Sequence, residues 1–165
     1  MRRRTFISLL GGAAAAWPLG GRAQQGPGVR RIGILMAYSE NDREYQSHLA
    51  AFREELQKLG WTEGRNVRID YRWAALDPEM MRRFARELIA LQPDVILSSS
   101  SPTTVSLLEE THSIPVVFAN IVDPVGSGLA ASLSRPGGNA TGFMLFEASL
   151  AGKWLELLKE IVPRV

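Results

Sequence analysis

VILSSSSPTTVSLL, residues 95–108, runs from a short apolar segment through four serines into a helix-like pattern. DVILS (94–98) is continuous and apolar, as a strand buried on both faces of a parallel sheet is. Pro102 suits the first turn of a helix, so PTTVSLLEET (102–111) is predicted to be one. The serines then form a strand-to-helix turn, the place where open α/β sheets bind ligands.

Working outward, the same rhythm recurs. RRIGILMA (30–37) is an apolar run with β-branched residues, predicted to be a buried strand. Tyr45, Leu49, Phe52, Leu56 and Leu59 recur at helical spacing, and Gly60 stands where such a helix stops. NVRIDYRW (66–73) alternates Val67, Ile69, Tyr71 and Trp73, a strand period. Asp77-Pro78 opens a helix carrying Met81, Phe84, Leu88 and Leu91 inward and ending before Pro93. IPVVFANI (114–121) and ATGFMLF (140–146) read as strands four and five. Between them, DPVGSGLAASLS (123–134) is expected to be a short helix opened by Asp123-Pro124, followed by a turn at 135–139. The last helix, 149–162, aligns Leu150, Trp154, Leu157, Leu158 and Ile161; part of this stripe is expected to cover strand five, and part to stay exposed. The fold class is therefore α/β: a doubly wound, parallel five-stranded sheet with helices on both faces.

The N-terminus stands apart. Arg3-Arg4-Thr5-Phe6-Ile7 matches a twin-arginine export pattern, a weakly apolar stretch follows, and Gly21 and Ala23 stand where a signal peptidase cuts. Residues 1–23 are read as an export signal, 24–28 as a linker, and a periplasmic destination follows. Without 1–23, which hold four arginines and no acid, 15 basic residues face 17 acidic ones. The basic overall balance thus carries no sign of nucleic-acid binding, which needs clustered cations. There is no cysteine, which excludes disulfides and thiolate chemistry.

Four loops follow the strands at one edge: Tyr38 to Asp42, the serine run, Asn120 to Asp123, and Phe146-Glu147. A helix N-terminus favours anions, and serine hydroxyls add donors. Ser101 is expected to cap the helix. Ser99, Ser100, Ser101 and Thr103 are candidates to receive a carboxylate, together with the backbone at 102–104. Asp123 is the candidate for an ammonium group and Asn120 lies beside it. Tyr38 is placed to stack on an aromatic side chain, with Ser39 next to it. A serine nucleophile lacks support, because no Gly-x-Ser-x-Gly or Ser-x-x-Lys is present and neither His48 nor His112 is placed to activate it. His48 is read as a solvated surface residue. Asp42 and Asp77 read as helix caps. No metal-ligand spacing and no Gly-x-Gly-x-x-Gly occurs, so no cofactor is expected.

RRIGILM, FREELQKLGWTEGRNVRIDYRWA, ELIALQPDVILSSSSPTTVSLL, IPVVFANIVDPVGSGLAASLSRPGGNATGF and KWLELLKEIVP together resemble the substrate-binding proteins of ABC transporters, in the branch assigned to tryptophan and tyrosine uptake. The resemblance covers residues 29–163, and its specific blocks are Gly60–Tyr71 and Asp123–Gly142. It implies a type I periplasmic binding protein that closes two lobes on a small ligand and delivers it to a membrane permease. Many relatives carry Gly and Thr at Ser100 and Ser101, and the family continues into a second lobe after the last helix, so residues 29–165 resemble the N-terminal lobe alone. The competing readings are an exported hydrolase using Ser99 to Ser101, a regulatory effector domain and a non-functional fragment. The export pattern argues against the effector, and the missing catalytic set against the hydrolase.

Overall fold

The computed structural model describes residues 28–146 and 150–162. The export signal (1–23), nearly all of the linker (24–28) and Glu147 of the fourth loop lie outside the described residues.

The strands are β1 (Arg30–Met36), β2 (Val67–Trp73), β3 (Val95–Ser98), β4 (Val116–Val122) and β5 (Ala140–Phe146). The helices are α1 (Arg43–Lys58), α2 (Pro78–Ala90), α3 (Ser101–Glu110) and α4 (Leu150–Ile161). All strand pairings are parallel, in the order β2-β1-β3-β4-β5, which leaves β2 and β5 at the edges. The expected doubly wound α/β sheet is present.

Strand alternation splits the core. Ile34 and Met36 face α1 and pack with Tyr45, Leu49, Val67 and Ile69. Leu35 points the other way, to Ala85 and Leu88 of α2 and Leu107 of α3, joined by Ile96 and Val116. Burying each of the Ile, Leu, Val and Met side chains among these stabilises the fold by about 1.5–3 kcal/mol. The helix starts follow from capping. Asp42 accepts the N–H groups of Glu44 and Tyr45, and Asp77 those of Glu79 and Met80. At the amino edge, Asp94 accepts the Arg31 amide at 2.8 Å and the Arg30 guanidinium at 2.6 Å. Both contacts hold its carboxyl below the usual range.

Two expectations fail. The segment 123–134 is not a helix; its described residues form turns and bends. Asp123 is itself left-handed (φ 49°) and accepts the Gly126 amide at 2.7 Å, closing a local turn. Gly128 (φ 73°) breaks any continuation. The segment still covers the sheet: Leu129 packs with Phe118, Ile121 and Ala140. The last helix is present, but every described side chain from 152 to 162 is exposed, so the described part of its stripe is not buried on β5 as expected; the Leu150 side chain lies outside the described residues.

The consequence is an uneven sheet. On the α1 side, α1 covers β1 and β2. Leu97, Val117 and Ala119 are only half-buried there, and Phe143 and Leu145 on β5 are exposed.

Candidate functional site

The serine run is an ordered cluster. Ser98 and Thr103 and Thr104 are fully buried. Ser98 Oγ lies 2.8 Å from both threonine hydroxyls. Both threonine hydroxyls also donate to the Ser100 carbonyl, at 3.0 and 2.7 Å, and the Thr104 amide bonds the same oxygen. The helix cap is therefore Ser100, whose hydroxyl accepts from the Thr103 amide at 3.3 Å. This corrects the expected cap, Ser101, by one residue. The reason is that the Ser100 carbonyl is the anchor for three donors, which fixes where the extended chain (φ −164°) turns helical.

Ser99 is nearly buried, and its hydroxyl accepts the Ala37 amide at 3.0 Å, tying the end of β3 to the end of β1. The hydroxyl keeps its own proton to give. Ser101 is half-exposed, and among the described residues it is the one serine of the run whose hydroxyl makes no intramolecular hydrogen bond. Thr103 supports the loop from below, and the backbone N–H groups of Thr103 and Thr104 are satisfied by Ser100. The donors left for a ligand are the Ser99 and Ser101 hydroxyls and the N–H of Ser101, which the helix cannot use. No histidine or carboxylate bonds any serine of the run among the described residues.

The loop after β1 sets a second wall. Tyr38 stacks on Tyr45, ring centroids 3.8 Å apart at 17°. Ser39 is exposed and closes the turn into α1 through its carbonyl to Asp42. Burial, with Tyr38 alongside, pushes the Tyr45 hydroxyl well above the usual phenol range, so it stays protonated. His48 meets the Tyr45 ring edge-on at 5.5 Å. Although exposed, it lines the groove described next, so the reading of it as a purely solvated residue is incomplete. Its position three residues after Tyr45, on the same helical face, was the available signal.

The third wall is the end of β4. Asn120 is left-handed (φ 63°) and sits between register shifts of β4 against β5. Its side-chain amide lies 3.5 Å from the Tyr45 hydroxyl. Gly142 faces this irregular stretch, and a Cβ there would collide with the Phe118 main chain. Asp123 lies just beyond, with one carboxylate oxygen committed to its own turn.

Between these walls lies an open groove of about 410 Å³, lined by Tyr45, His48, Leu97, Ser99, Asn120 and Phe143 among others. The fold thus brings Ser99 and Asn120 together, with Tyr38 backing Tyr45. It sets Ser101 in a separate groove of about 330 Å³ between α2 and α3, with Pro78, Met81 and Arg82. Ser39 and Asp123 line neither groove.

Residues 31–165 match the family model described as ABC transporter substrate binding protein. The chain belongs to that family. It is 31% identical, over 113 residues, to a tyrosine-binding protein of Clostridioides difficile (strain R20291), covering 68% of this chain and 32% of that one. Among solved structures it is similar to a conserved domain protein from Vibrio cholerae (TM-score 0.71, 29% identity, 83% of this chain and 45% of that one). A ligand-free, open substrate binding protein with adhesive properties from Clostridium difficile matches similarly (TM-score 0.70, 29% identity, 82% and 45%). So does an ABC domain in complex with L-Trp from Streptococcus pneumonia (TM-score 0.65, 27% identity, 70% and 38%). The chain spans about a third of its curated relative's length and under half of these solved structures.

Proposed function

We propose that this chain is the N-terminal lobe of an exported ABC substrate-binding protein that takes a small carboxylate-bearing ligand, an amino acid, its carboxylate received at the serine loop, for delivery to a membrane permease. The observation that carries this reading is the family match over residues 31–165 combined with the groove at the strands' carboxyl ends, where Ser99 keeps a hydroxyl proton to donate beside Asn120. Tyrosine and tryptophan, the ligands named for two relatives, share an α-carboxylate, an ammonium and an aromatic ring. Ser99 would meet the first, and Asn120 and the Tyr45 ring, backed by Tyr38, would flank the third; Ser101 and its amide lie in the neighbouring groove, and Asp123, proposed for the second, borders the loop beyond Asn120. Ser100, Thr103 and Ser39 hold the loops that present these groups. Half of a two-lobed cleft buries a small ligand poorly, so the lone lobe would bind weakly. Arg3-Arg4-Thr5-Phe6-Ile7 supports export through the twin-arginine route to the periplasm.

The test is calorimetry on this chain joined to the second lobe of a relative, with tyrosine and tryptophan as probes. Ser99→Ala, measured on protein checked to be folded, should weaken binding about tenfold or more, the loss of one hydrogen bond to a charged group, while Ser101→Ala in the neighbouring groove should change it less. The methyl esters, already weak, should barely change. Equal binding of acid and ester by the parent protein would sink the carboxylate assignment.

A further inference from the structure

Three polar side chains meet where α1 begins and β4 ends. Tyr45, in the first turn of α1, is buried and stacks on Tyr38, ring centroids 3.8 Å apart. A hydrogen bond with Tyr38 keeps the phenolic proton on Tyr45, so the Tyr45 oxygen is left to accept. The Asn120 side-chain N–H donates to it, a long bond at 3.5 Å. That contact orients the amide. With its nitrogen turned to Tyr45, the Asn120 side-chain carbonyl points away from that ring, and among the described residues it receives no hydrogen bond. The backbone fixes the same residue: Asn120 is left-handed (φ 63°) between two register shifts of β4, a conformation asparagine tolerates and most residues do not.

We infer that the Asn120 carbonyl, oriented by Tyr45, accepts a hydrogen bond from the ligand's ring, so that the site selects aromatic amino acids whose ring carries an O–H or N–H over phenylalanine. The inference rests on the reading of this groove as an amino-acid site. Among the described residues no Asp, Glu, Lys or Arg lines the groove, so its neutral polar groups do the selecting. Ser98 is spent on Thr103 and Thr104, and the Ser99 oxygen already accepts the Ala37 amide. Ser99 therefore offers a donor, suited to the carboxylate, while Asn120 offers an acceptor. A phenol O–H or an indole N–H meets that acceptor. A phenyl edge would take water from the carbonyl and return no hydrogen bond, which is how a site rejects an analogue that lacks one polar group. Asn120 is exposed in this lobe, so the discrimination is that of a single neutral hydrogen bond. Tyr45 is a positioning residue: it acts on the ligand's polar atom through Asn120.

Ligand-observed NMR on the full chain reads the weak binding of a lone lobe, with tyrosine, tryptophan and phenylalanine compared at equal concentration. Tyrosine and tryptophan should bind roughly three- to tenfold more tightly than phenylalanine. Asn120→Gly and Tyr45→Phe should each bring that ratio close to one. Asn120→Asp, which keeps an acceptor and suits the left-handed backbone, should retain it. A general loss of packing would weaken all three ligands alike and leave the ratio standing, so the ratio separates positioning from mere support. Binding of none of the three would overturn this inference together with the amino-acid reading of the groove. Equal binding of the three, a ratio that survives Asn120→Gly or Tyr45→Phe, or one that is lost in Asn120→Asp would overturn the inference alone.

Discussion

The Ser99 hydroxyl takes the Ala37 amide hydrogen at 3.0 Å, so one side chain of the serine run fastens the ends of the two central strands. Ser99→Ala leaves that buried N–H without an acceptor. The expected cost is about 1–3 kcal/mol of unfolding free energy, read from urea denaturation. Ser101→Ala, whose hydroxyl serves no internal bond, should leave the denaturation midpoint unchanged. Equal midpoint shifts for the two variants would refute this division of labour.

Asn120 holds a left-handed backbone at the end of β4. Asparagine tolerates that region, glycine does so freely, and a β-branched residue pays heavily. Asn120→Gly should keep the fold while weakening ligand binding in a two-lobed protein. Asn120→Val should destabilise by about 1–2 kcal/mol. Matching stabilities for the two would show that the backbone there is not constrained.

Gly142 lets β5 approach the Phe118 main chain at the irregular stretch of β4. Gly142→Ala must push one strand from the other, at a cost of about 1–3 kcal/mol. Thermal unfolding that matches the parent would mean the strands part without penalty.

Asp94 accepts from Arg31 and Arg30, and its folded pKa lies below the ordinary value. A depressed carboxyl contributes stability above its unfolded pKa of 3.8 and loses it as pH falls through the folded value. Asp94→Asn should therefore flatten the acid limb of the stability curve below about pH 4, with little change near neutrality beyond the lost ion pair. An unchanged acid limb would remove Asp94 from the linkage.

For export, Arg3→Lys with Arg4→Lys should block the twin-arginine route and spare a general secretory one. Periplasmic fractionation reads the difference, and undiminished export of the double variant would exclude that route.

The sheet was legible because burial on two faces leaves continuous apolar runs, as in GILM of β1 and VIL of β3. Asp42 and Asp77 announced α1 and α2, since a short carboxylate before a helix has one economical use. The same Asp-Pro signal misled at Asp123, whose backbone is left-handed rather than extended as at Asp77, and whose carboxylate closes a turn on Gly126 with left-handed Gly128 soon after. The serine cluster was legible as a site, yet not which hydroxyls are consumed inside it. That depends on Thr103 and Thr104 turning inward toward Ser98, a packing outcome no spacing rule encodes. The position of α4 was illegible for a different reason: its stripe states that something is covered, not what.

β5 closes the sheet on one side, and its outer backbone edge meets no further strand among the described residues. Its sequence, ATGFMLF, has no charge and no proline to discourage a neighbour from pairing along that edge. Such segments template cross-β growth when chains are crowded. A lysine at exposed Thr141 would act as a gatekeeper on that edge.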